Sequence, residues 1–148
     1  MIITSGPVLE LGAGLGSTLT LHGLCGSLGR SLTTIESDEE WLARFINYRR
    51  SWHILRKVGT FLSLPEYVQN WGLAFIDHGI AEERGISIIA LQQVPIIVVH
   101  DTCYPWLYGY QIALSLFKYR WDWRINGPMT TIISQTIDVV GKFERFDL

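Results

Sequence analysis

A glycine-rich turn near the N-terminus constrains the fold of this chain more than any other feature of its sequence. Residues 7–11 are apolar enough for a β-strand, and residues 12–16 then carry three glycines in five positions. Glycine lets the backbone bend sharply and leaves no side chain between the main chain and a ligand. Ser17 is a candidate N-cap for a helix that runs to about Leu28, where Gly29 can end it. The sequence therefore predicts a strand, a tight turn and a helix in direct succession.

Short β-branched runs alternate with longer helical stretches along the rest of the chain, which is typical of βα units and a largely parallel sheet. After the first strand, the predicted strands are 31–36, 53–58, 71–76, 95–99, 119–124 and 130–137. The predicted later helices are one opened by Asp38-Glu39-Glu40, one at 81–93 and one at 106–118. The turn Asn126-Gly127-Pro128 predicts a hairpin between the last two strands. We therefore predict an α/β fold with a doubly wound, mostly parallel seven-stranded sheet, an antiparallel C-terminal hairpin and helices on both faces.

The charges around the glycine turn indicate which kind of nucleotide suits it. The dinucleotide fingerprint requires a glycine at position 17, where this chain has Ser17. Glu10 lies two residues before the first glycine, where a carboxylate repels phosphates but suits the cationic amino group of a methionine. Glu36 lies about 20 residues beyond the turn, where an acid hydrogen-bonds ribose hydroxyls. The pattern favours a positively charged nucleoside over a pyrophosphate.

Residues 10–16 followed by Glu36 resemble the first two motifs of the class I S-adenosylmethionine-dependent methyltransferases. The resemblance implies a seven-stranded sheet with an antiparallel last strand, S-adenosylmethionine as the cofactor and methyl transfer as the reaction. In that family the glycine turn contacts the methionine part, and the acid after the second strand binds ribose. Carried over to this chain, the resemblance implies the cofactor-binding residues Glu10, Gly12, Ala13, Gly14, Ser17, Glu36 and Ser37.

Two pairs of acid and histidine follow the fourth and fifth predicted strands: Asp77-His78 and His100-Asp101. Because ligands of open parallel sheets bind beyond the carboxyl ends of the strands, we predict that all four residues face the same crevice as the glycine turn. One interpretation is a divalent metal site, either Mg²⁺ or a transition metal. A second is a metal-free base, His78 or His100, that takes a proton from the methyl acceptor. In a third, both pairs only cap strand ends.

Residues 75–79 and 98–102 resemble stretches of methyltransferases of the catechol and of the macrolide- or cephalosporin-tailoring type. In those enzymes the matching acids hold Mg²⁺, which orients and acidifies a substrate hydroxyl. The resemblance implies Asp77 and Asp101 as metal ligands, with His100 or Thr102 as a third.

Length and charge limit the partners and the location of the protein. The 148 residues amount to one domain, which we predict to span residues 1–148. A formal net charge of −2 gives no general attraction to nucleic-acid phosphates.

The longest apolar run, residues 94–99, is too short to cross a bilayer, and no signal peptide is evident. Cys25 and Cys103 have no metal-ligand spacing and are interpreted as thiols of a reducing compartment. We therefore expect a cytoplasmic protein without nucleic-acid or membrane partners, and its apolar composition suits a homo-oligomer.

These features predict a methyltransferase that acts on an oxygen or nitrogen of a small-molecule acceptor, with or without a metal. The alternative is a non-catalytic, methyltransferase-like binding module or scaffold subunit, which the short loops favour. A dinucleotide-dependent enzyme is disfavoured by Ser17 and Glu10.

Overall fold

The computed structural model describes residues 4–124 and 127–143. Its strands are β1 (Val8–Leu11), β2 (Leu32–Glu36), β3 (His53–Lys57), β4 (Leu73–Ile76), β5 (Ile97–Val99), β6 (Tyr119–Trp123) and β7 (Thr130–Ser134). Its α-helices are α1 (Ser17–Leu28), α2 (Glu39–Ala43), α3 (Arg84–Ala90), α4 (Tyr110–Ser115) and α5 (Val140–Phe143). Short 3₁₀ turns occupy Ile46–Tyr48, Pro65–Val68 and Ala81–Glu83.

The strands form one seven-stranded sheet in the order β3-β2-β1-β4-β5-β7-β6. Strand β1 pairs in parallel with β2 on one side and with β4 on the other. Strand β7 runs antiparallel to both of its neighbours, β5 and β6. These pairings confirm the predicted doubly wound sheet with its C-terminal hairpin. Of the predicted hairpin turn, Asn126 lies outside the described residues.

The two faces of the sheet bury different cores because side chains alternate along each strand. Leu9 and Leu11 of β1 pack into the larger core, to which α3 and α4 also contribute. Glu10 lies between them in sequence and points to the opposite face, where its carboxylate contacts Thr18 of α1. The most polar residue of β1 is therefore buried between the sheet and the first helix.

Helix α1 spans the residues predicted for it, but its N-terminal cap differs. The capping residue is Gly16, and no side chain caps the helix. The prediction of Ser17 as N-cap is wrong, because Ser17 is already the first helical residue. At the other end Gly29 adopts a left-handed conformation with φ +63°, as predicted for the residue that stops the helix.

The later helices are shorter than predicted. Helix α4 begins only at Tyr110, because Gly109 before it has φ +66° and cannot continue a helix from residue 106. Helix α3 follows the 3₁₀ turn Ala81–Glu83 and ends at Ala90, since the backbone angles of Leu91 are no longer α-helical. Within the residues that the structure describes, no helix has both the length and the apolar character required to cross a membrane.

The strand order of the sheet reverses at β1. Ligands of open α/β sheets bind in the crevice at such a reversal, so we expect the crevice beyond the end of β1. The turn after β1 stays tied to both neighbouring strands. Gly12 N donates to Ile35 O at 2.8 Å, and Asp77 N donates to Leu11 O at 2.7 Å. The ends of β1, β2 and β4 therefore meet at one edge of the sheet.

Candidate functional site

The turn after β1 requires glycine at its first position for reasons of both backbone and space. Gly12 has φ +96°, a conformation that side chains disfavour. A Cβ on Gly12 would lie 2.4 Å from the backbone nitrogen of His78. The missing side chain therefore makes room for the end of β4 rather than for a ligand. At Gly16 a Cβ would meet nothing within 4 Å, so the outer part of the turn is open.

Glu36, at the end of β2, holds the turn from one side. Its Oε2 accepts from Ala13 N at 2.9 Å, and its Oε1 accepts from Ser37 N at 2.6 Å and Asp38 N at 2.9 Å. The indole of Trp41 donates to Ala13 O at 2.6 Å, so both polar backbone groups of Ala13 are held. The acid predicted to bind ribose therefore lies directly against the glycine turn.

Glu10 holds the same turn from beneath. It is fully buried, and the hydroxyl of Thr18 donates to both of its carboxylate oxygens at 3.0 Å. The Thr18 oxygen in turn accepts from Gly14 N at 2.9 Å. Burial raises the pKa of Glu10 to about 7, because a carboxylate removed from water favours its neutral form. Glu10 thus reaches the turn through Thr18.

Ser17 lies at the start of α1, and its hydroxyl faces the Glu10 carboxyl group, whose pKa it lowers against the effect of burial. Its Oγ is buried beneath the turn. Ser37, which follows Glu36, is half-buried and its hydroxyl donates to Glu36 Oε1 at 3.2 Å. Ser17 therefore lies beneath the glycine turn, and Ser37 is linked to the turn through Glu36.

The ends of β4 and β5 bring two carboxylates together around a guanidinium that the sequence interpretation missed. Arg84 Nη2 lies 3.1 Å from Asp77 Oδ1, and Arg84 Nη1 lies 3.6 Å from Asp101 Oδ2. The side chain of Arg84 is 6% exposed, while those of Asp77 and Asp101 are 26% and 21% exposed. Burial raises the pKa of Asp77, against the opposing effect of Arg84. Two half-buried acids are thus bridged by one buried cation.

Several groups fix the position of the Arg84 side chain. Its Nε donates to His78 O at 2.5 Å, and its guanidinium carbon lies 4.2 Å above the ring centre of Tyr108. Tyr108 can approach because Gly85 has no side chain: a Cβ there would lie 2.6 Å from Gly109 O. Gly85 therefore allows α3 and the chain before α4 to touch. No local sequence pattern marks Arg84 for this role.

His100 and Asp101 present two polar atoms to the crevice at the end of β5. His100 Nε2 lies 3.6 Å from Asp101 Oδ1, which is longer than a hydrogen bond. His100 Nδ1 lies 2.9 Å from the hydroxyl of Thr130. Asp101 has φ +57°, a left-handed conformation that is uncommon outside glycine and clusters at functional sites. The gap between Nε2 and Oδ1 leaves both atoms able to contact a polar hydrogen of a ligand.

His78 does not face the crevice, contrary to our prediction for all four residues of the two pairs. It is fully buried, and its ring stacks on Phe61 with 3.8 Å between ring centres. Its Nε2 lies 3.1 Å from the hydroxyl of Ser87. Burial and the nearby Arg84 lower the pKa of His78 to about 3. His78 is thus a neutral core residue, and a methyl acceptor in the crevice cannot reach it.

The arrangement around Arg84 bears on the predicted metal site. Asp77, His100 and Asp101 offer ligand atoms within 4.8 Å of one another. However, Arg84 already engages both carboxylates, and a divalent cation between them would lie beside the guanidinium charge. Asp77 and Asp101 therefore do not fit a metal while Arg84 is in this position.

Replacing Arg84 by methionine is expected to destabilise the fold by about 3 kcal/mol, because it leaves two partly buried carboxylates without their cation. Urea denaturation at pH 7 measures the effect. Arg124→Met is the matched control, since Arg124 pairs with Asp122 from a side chain that is 74% exposed, and such surface changes cost less than about 0.5 kcal/mol. Equal stability of the two variants would contradict a structural role for Arg84.

Comparison with known proteins supports the fold. No protein-family model and no curated protein matches the chain. Among solved structures, the N-methyltransferase NodS of Bradyrhizobium japonicum WM9 in complex with S-adenosyl-L-homocysteine is 14% identical, with a TM-score of 0.57 over 90% of this chain and 79% of that one. The CurJ carbon methyltransferase is 12% identical, with a TM-score of 0.58 over 90% of this chain and 49% of that one.

A putative methyltransferase from Thermoplasma acidophilum is 14% identical, with a TM-score of 0.52 over 86% of this chain and 66% of that one. NodS is named for N-methylation and CurJ for carbon methylation, so the likeness extends to the fold and not to one acceptor atom. The chain therefore has the fold of the class I S-adenosylmethionine-dependent methyltransferases.

Proposed function

We propose that this protein is an S-adenosylmethionine-dependent methyltransferase that acts on an oxygen or nitrogen of a small molecule. The observation that carries the proposal is the position of Glu36 against the glycine turn, at the point where the sheet reverses its strand order. Ligands of doubly wound sheets bind at this place. Glu36 is the acid expected to hold ribose, and its Oε2 lies 2.9 Å from Ala13 N of the turn.

Three groups of this chain would hold the cofactor. The carboxylate of Glu36 would accept from the ribose hydroxyls, with Ser37 beside it. Ser17, in the first turn of α1, would lie beside the methionine part. Glu10, beneath the turn, would favour the positive charge of the ligand through the field of its carboxylate. S-adenosylmethionine supplies an electrophilic methyl group bound to a sulfonium.

His100 and Asp101 would orient the methyl acceptor and receive its proton. Methyl transfer is a direct displacement, so the protein contributes mainly by positioning the acceptor and removing a proton. If Nδ1 of His100 donates to the Thr130 hydroxyl, which lies 2.9 Å away, its Nε2 lone pair is free for the acceptor. Asp101, whose Oδ1 lies 3.6 Å from His100 Nε2, would help to orient the same acceptor group. Because Arg84 engages both acids, we propose a metal-free reaction.

Methyl transfer is tested by incubating the protein with S-adenosylmethionine and a panel of small phenols, alcohols and amines. Mass spectrometry detects S-adenosylhomocysteine and any acceptor that has gained a methyl group. We expect methylation that persists in EDTA. Activity that EDTA abolishes and Mg²⁺ restores would contradict the metal-free form of the proposal.

His100→Gln is expected to lower kcat on such an acceptor by about 100-fold or more, as loss of a general base does. The dissociation constant of S-adenosylhomocysteine should remain unchanged, because His100 acts on the acceptor. Thr130→Val removes only the partner of Nδ1 and should lower kcat less. A His100→Gln variant with the wild-type kcat would exclude His100 as the base.

The alternative is a non-catalytic module with a methyltransferase fold. One observation favours it: both carboxylate oxygens of Glu36 already accept from backbone N–H groups, so the acid also has a purely structural use. A protein of this kind would keep its fold and its partner when Glu36 is replaced, and it would release no S-adenosylhomocysteine with any acceptor.

A further inference from the structure

A continuous chain of hydrogen-bonded polar side chains runs beneath the glycine turn, from α1 at the surface to the buried end of β1. We name it the relay. Its members, in spatial order, are His22, His53, Thr34, Glu10 and Thr18. All but His22 are fully buried, and His22 is half-buried. Burying this many polar groups is costly unless they are paired, so the relay calls for a physical explanation.

The inner end of the relay is attached to the turn. Glu10 Oε2 accepts from the Thr34 hydroxyl at 2.6 Å, and both Glu10 oxygens accept from the Thr18 hydroxyl at 3.0 Å. Thr18 Oγ1 accepts from Gly14 N at 2.9 Å. The charge on Glu10 therefore strengthens the hydrogen bond that holds Thr18 and, through it, the glycine turn.

The outer end of the relay consists of two imidazoles in contact. His53 Nε2 lies 3.0 Å from the Thr34 hydroxyl, and His53 Nδ1 lies 2.8 Å from His22 Nδ1. Only one of these two Nδ1 atoms can carry the shared proton when both rings are neutral. The ring of His22 also packs on Trp52, with 4.7 Å between ring centres, at the surface of the molecule.

The state of Glu10 fixes the direction of every bond in the relay. When Glu10 is ionised it only accepts, so the Thr34 hydroxyl donates to it. The Thr34 oxygen must then accept from His53 Nε2–H, and His53 Nδ1 must accept from His22 Nδ1–H. When Glu10 is protonated it donates to the Thr34 oxygen, and the Thr34 hydroxyl then donates to His53 Nε2. His53 Nδ1–H in turn donates to His22 Nδ1. A proton can thus pass between His22 and Glu10 by small shifts along existing hydrogen bonds.

We propose that the relay is a positioning device that holds the glycine turn for the cofactor and couples cofactor affinity to the protonation of Glu10 through His22. The proposal rests on the proposed function, because it assigns the ligand of the turn to a sulfonium nucleoside. An ionised Glu10 attracts that cation, and a protonated Glu10 does not.

The surroundings of the relay support this coupling. Burial raises the pKa of Glu10 to about 7, an effect that Thr34 opposes and the nearby charge of Asp77 reinforces. Burial and the neighbouring His22 lower the pKa of His53 to about 4, so His53 is neutral at pH 7 and can pass a proton on. The other charged or titratable groups facing these two residues, among those described, are Cys25 toward Glu10 and Arg50 toward His53, and the backbone of Tyr48 also hydrogen-bonds the His53 ring.

Cofactor affinity measured by calorimetry between pH 5.5 and 8.5 tests the coupling. We expect the affinity for S-adenosylmethionine to rise about tenfold between pH 6 and pH 8, as Glu10 ionises. The rise should be smaller for S-adenosylhomocysteine, which keeps the charged amino group but has no sulfonium charge. Glu10→Gln should abolish the pH dependence. A Glu10→Gln variant with the same rise would overturn the proposal.

Substitution of Thr34 separates the relay from Glu10 itself. Thr34→Val removes the hydroxyl between Glu10 and His53 and leaves a side chain of nearly the same shape. We expect the rise in affinity to move to higher pH, because Thr34 no longer stabilises the ionised carboxylate. Thr34→Ser should restore wild-type behaviour, and Thr33→Val, the same change one residue earlier on the other face of β2, should have no effect. A Thr34→Val variant that matches the wild type at every pH would overturn the proposal.

Imidazole ¹⁵N shifts in the free wild-type protein test the relay without any ligand or variant. At pH 8 His53 should carry its proton on Nε2 and His22 on Nδ1, and both should exchange to the other tautomer as the pH falls below 7. His53 protonated on Nδ1 at pH 8 would overturn the relay. Because this measurement needs no cofactor, an absence of binding would contradict the proposed function without deciding the relay.

Discussion

Replacing Glu36 by alanine is expected to lower the affinity for S-adenosylhomocysteine by about 100-fold or more, since a charged hydrogen bond contributes about 1.5–3 kcal/mol and ribose offers two hydroxyls. The variant also loses the bond from Ala13 N that holds the glycine turn. Both effects act on the same ligand, so the loss of binding should exceed that for any other single acid near the turn. Isothermal titration calorimetry of the folded variant measures it.

The matched control for this change is Glu39→Ala. Glu39 is an exposed acid in the first turn of α2, three residues beyond Glu36. Its removal changes the net charge equally and leaves the glycine turn untouched, so the affinity should stay within twofold of wild type, roughly the scatter expected of surface substitutions. A Glu36→Ala variant that binds as well as this control would exclude a ribose contact by Glu36.

Replacing Gly12 by alanine is expected to destabilise the fold by about 3 kcal/mol or more. The left-handed conformation at φ +96° costs about 1–2 kcal/mol with a side chain present. In addition, the new Cβ would lie 2.4 Å from His78 N, and backbone atoms cannot move aside as a flexible side chain can. Urea denaturation followed by circular dichroism measures the loss in the free energy of unfolding.

Gly16→Ala in the same turn is the control for Gly12→Ala. Gly16 has φ −85° and open space where its Cβ would be. A methyl group there is compatible with the backbone and should leave stability unchanged or raise it by up to about 1 kcal/mol. If the two alanine variants were equally stable, the tight contact between the turn and β4 would be absent in solution.

The fold could be predicted from sequence because each strand is marked by local pattern. Strands β4 and β5 are continuous apolar runs, and the turn after β1 carries its glycines in a recognisable spacing. The ends of the helices were predicted less well where one backbone conformation decides them. Because Gly109 has φ +66°, α4 begins only at Tyr110. No pattern in residues 106–118 indicates that Gly109 adopts this left-handed conformation.

The candidate site could be predicted only in part, since a sequence shows which residues follow a strand but not which way they point. Asp77 and Asp101 do approach each other, as two neighbouring parallel strands require. His78 is covered by Phe61, which arrives on the long connection between β3 and β4. Arg84 reaches both acids from the start of α3, and Tyr108 lies over its guanidinium where Gly85 admits the chain before α4. These contacts depend on how the loops between strands and helices run, and loop sequences have no hydrophobic periodicity from which their course could be predicted.

The relay shows the same limit at longer range. His22 has the sequence context of an isolated histidine in an apolar helix, where a buried role is the ordinary interpretation. In the folded chain it lies 2.8 Å from His53, which is 31 residues away. That contact places the middle of α1 beside the first residue of β3, on the face of the sheet that holds Glu10 and Thr34. The alternation of β1 does place Glu10 on that face, so one end of the relay follows from the sequence and the other does not.

The central claim is that the turn between β1 and α1 binds a sulfonium nucleoside rather than a pyrophosphate, and calorimetric titration of the wild-type protein tests it most directly. We predict heat from one molecule of S-adenosylmethionine or S-adenosylhomocysteine per chain, and none from NADH. A folded sample that gives no heat with either sulfur compound, or that binds NADH at this site, would contradict the claim.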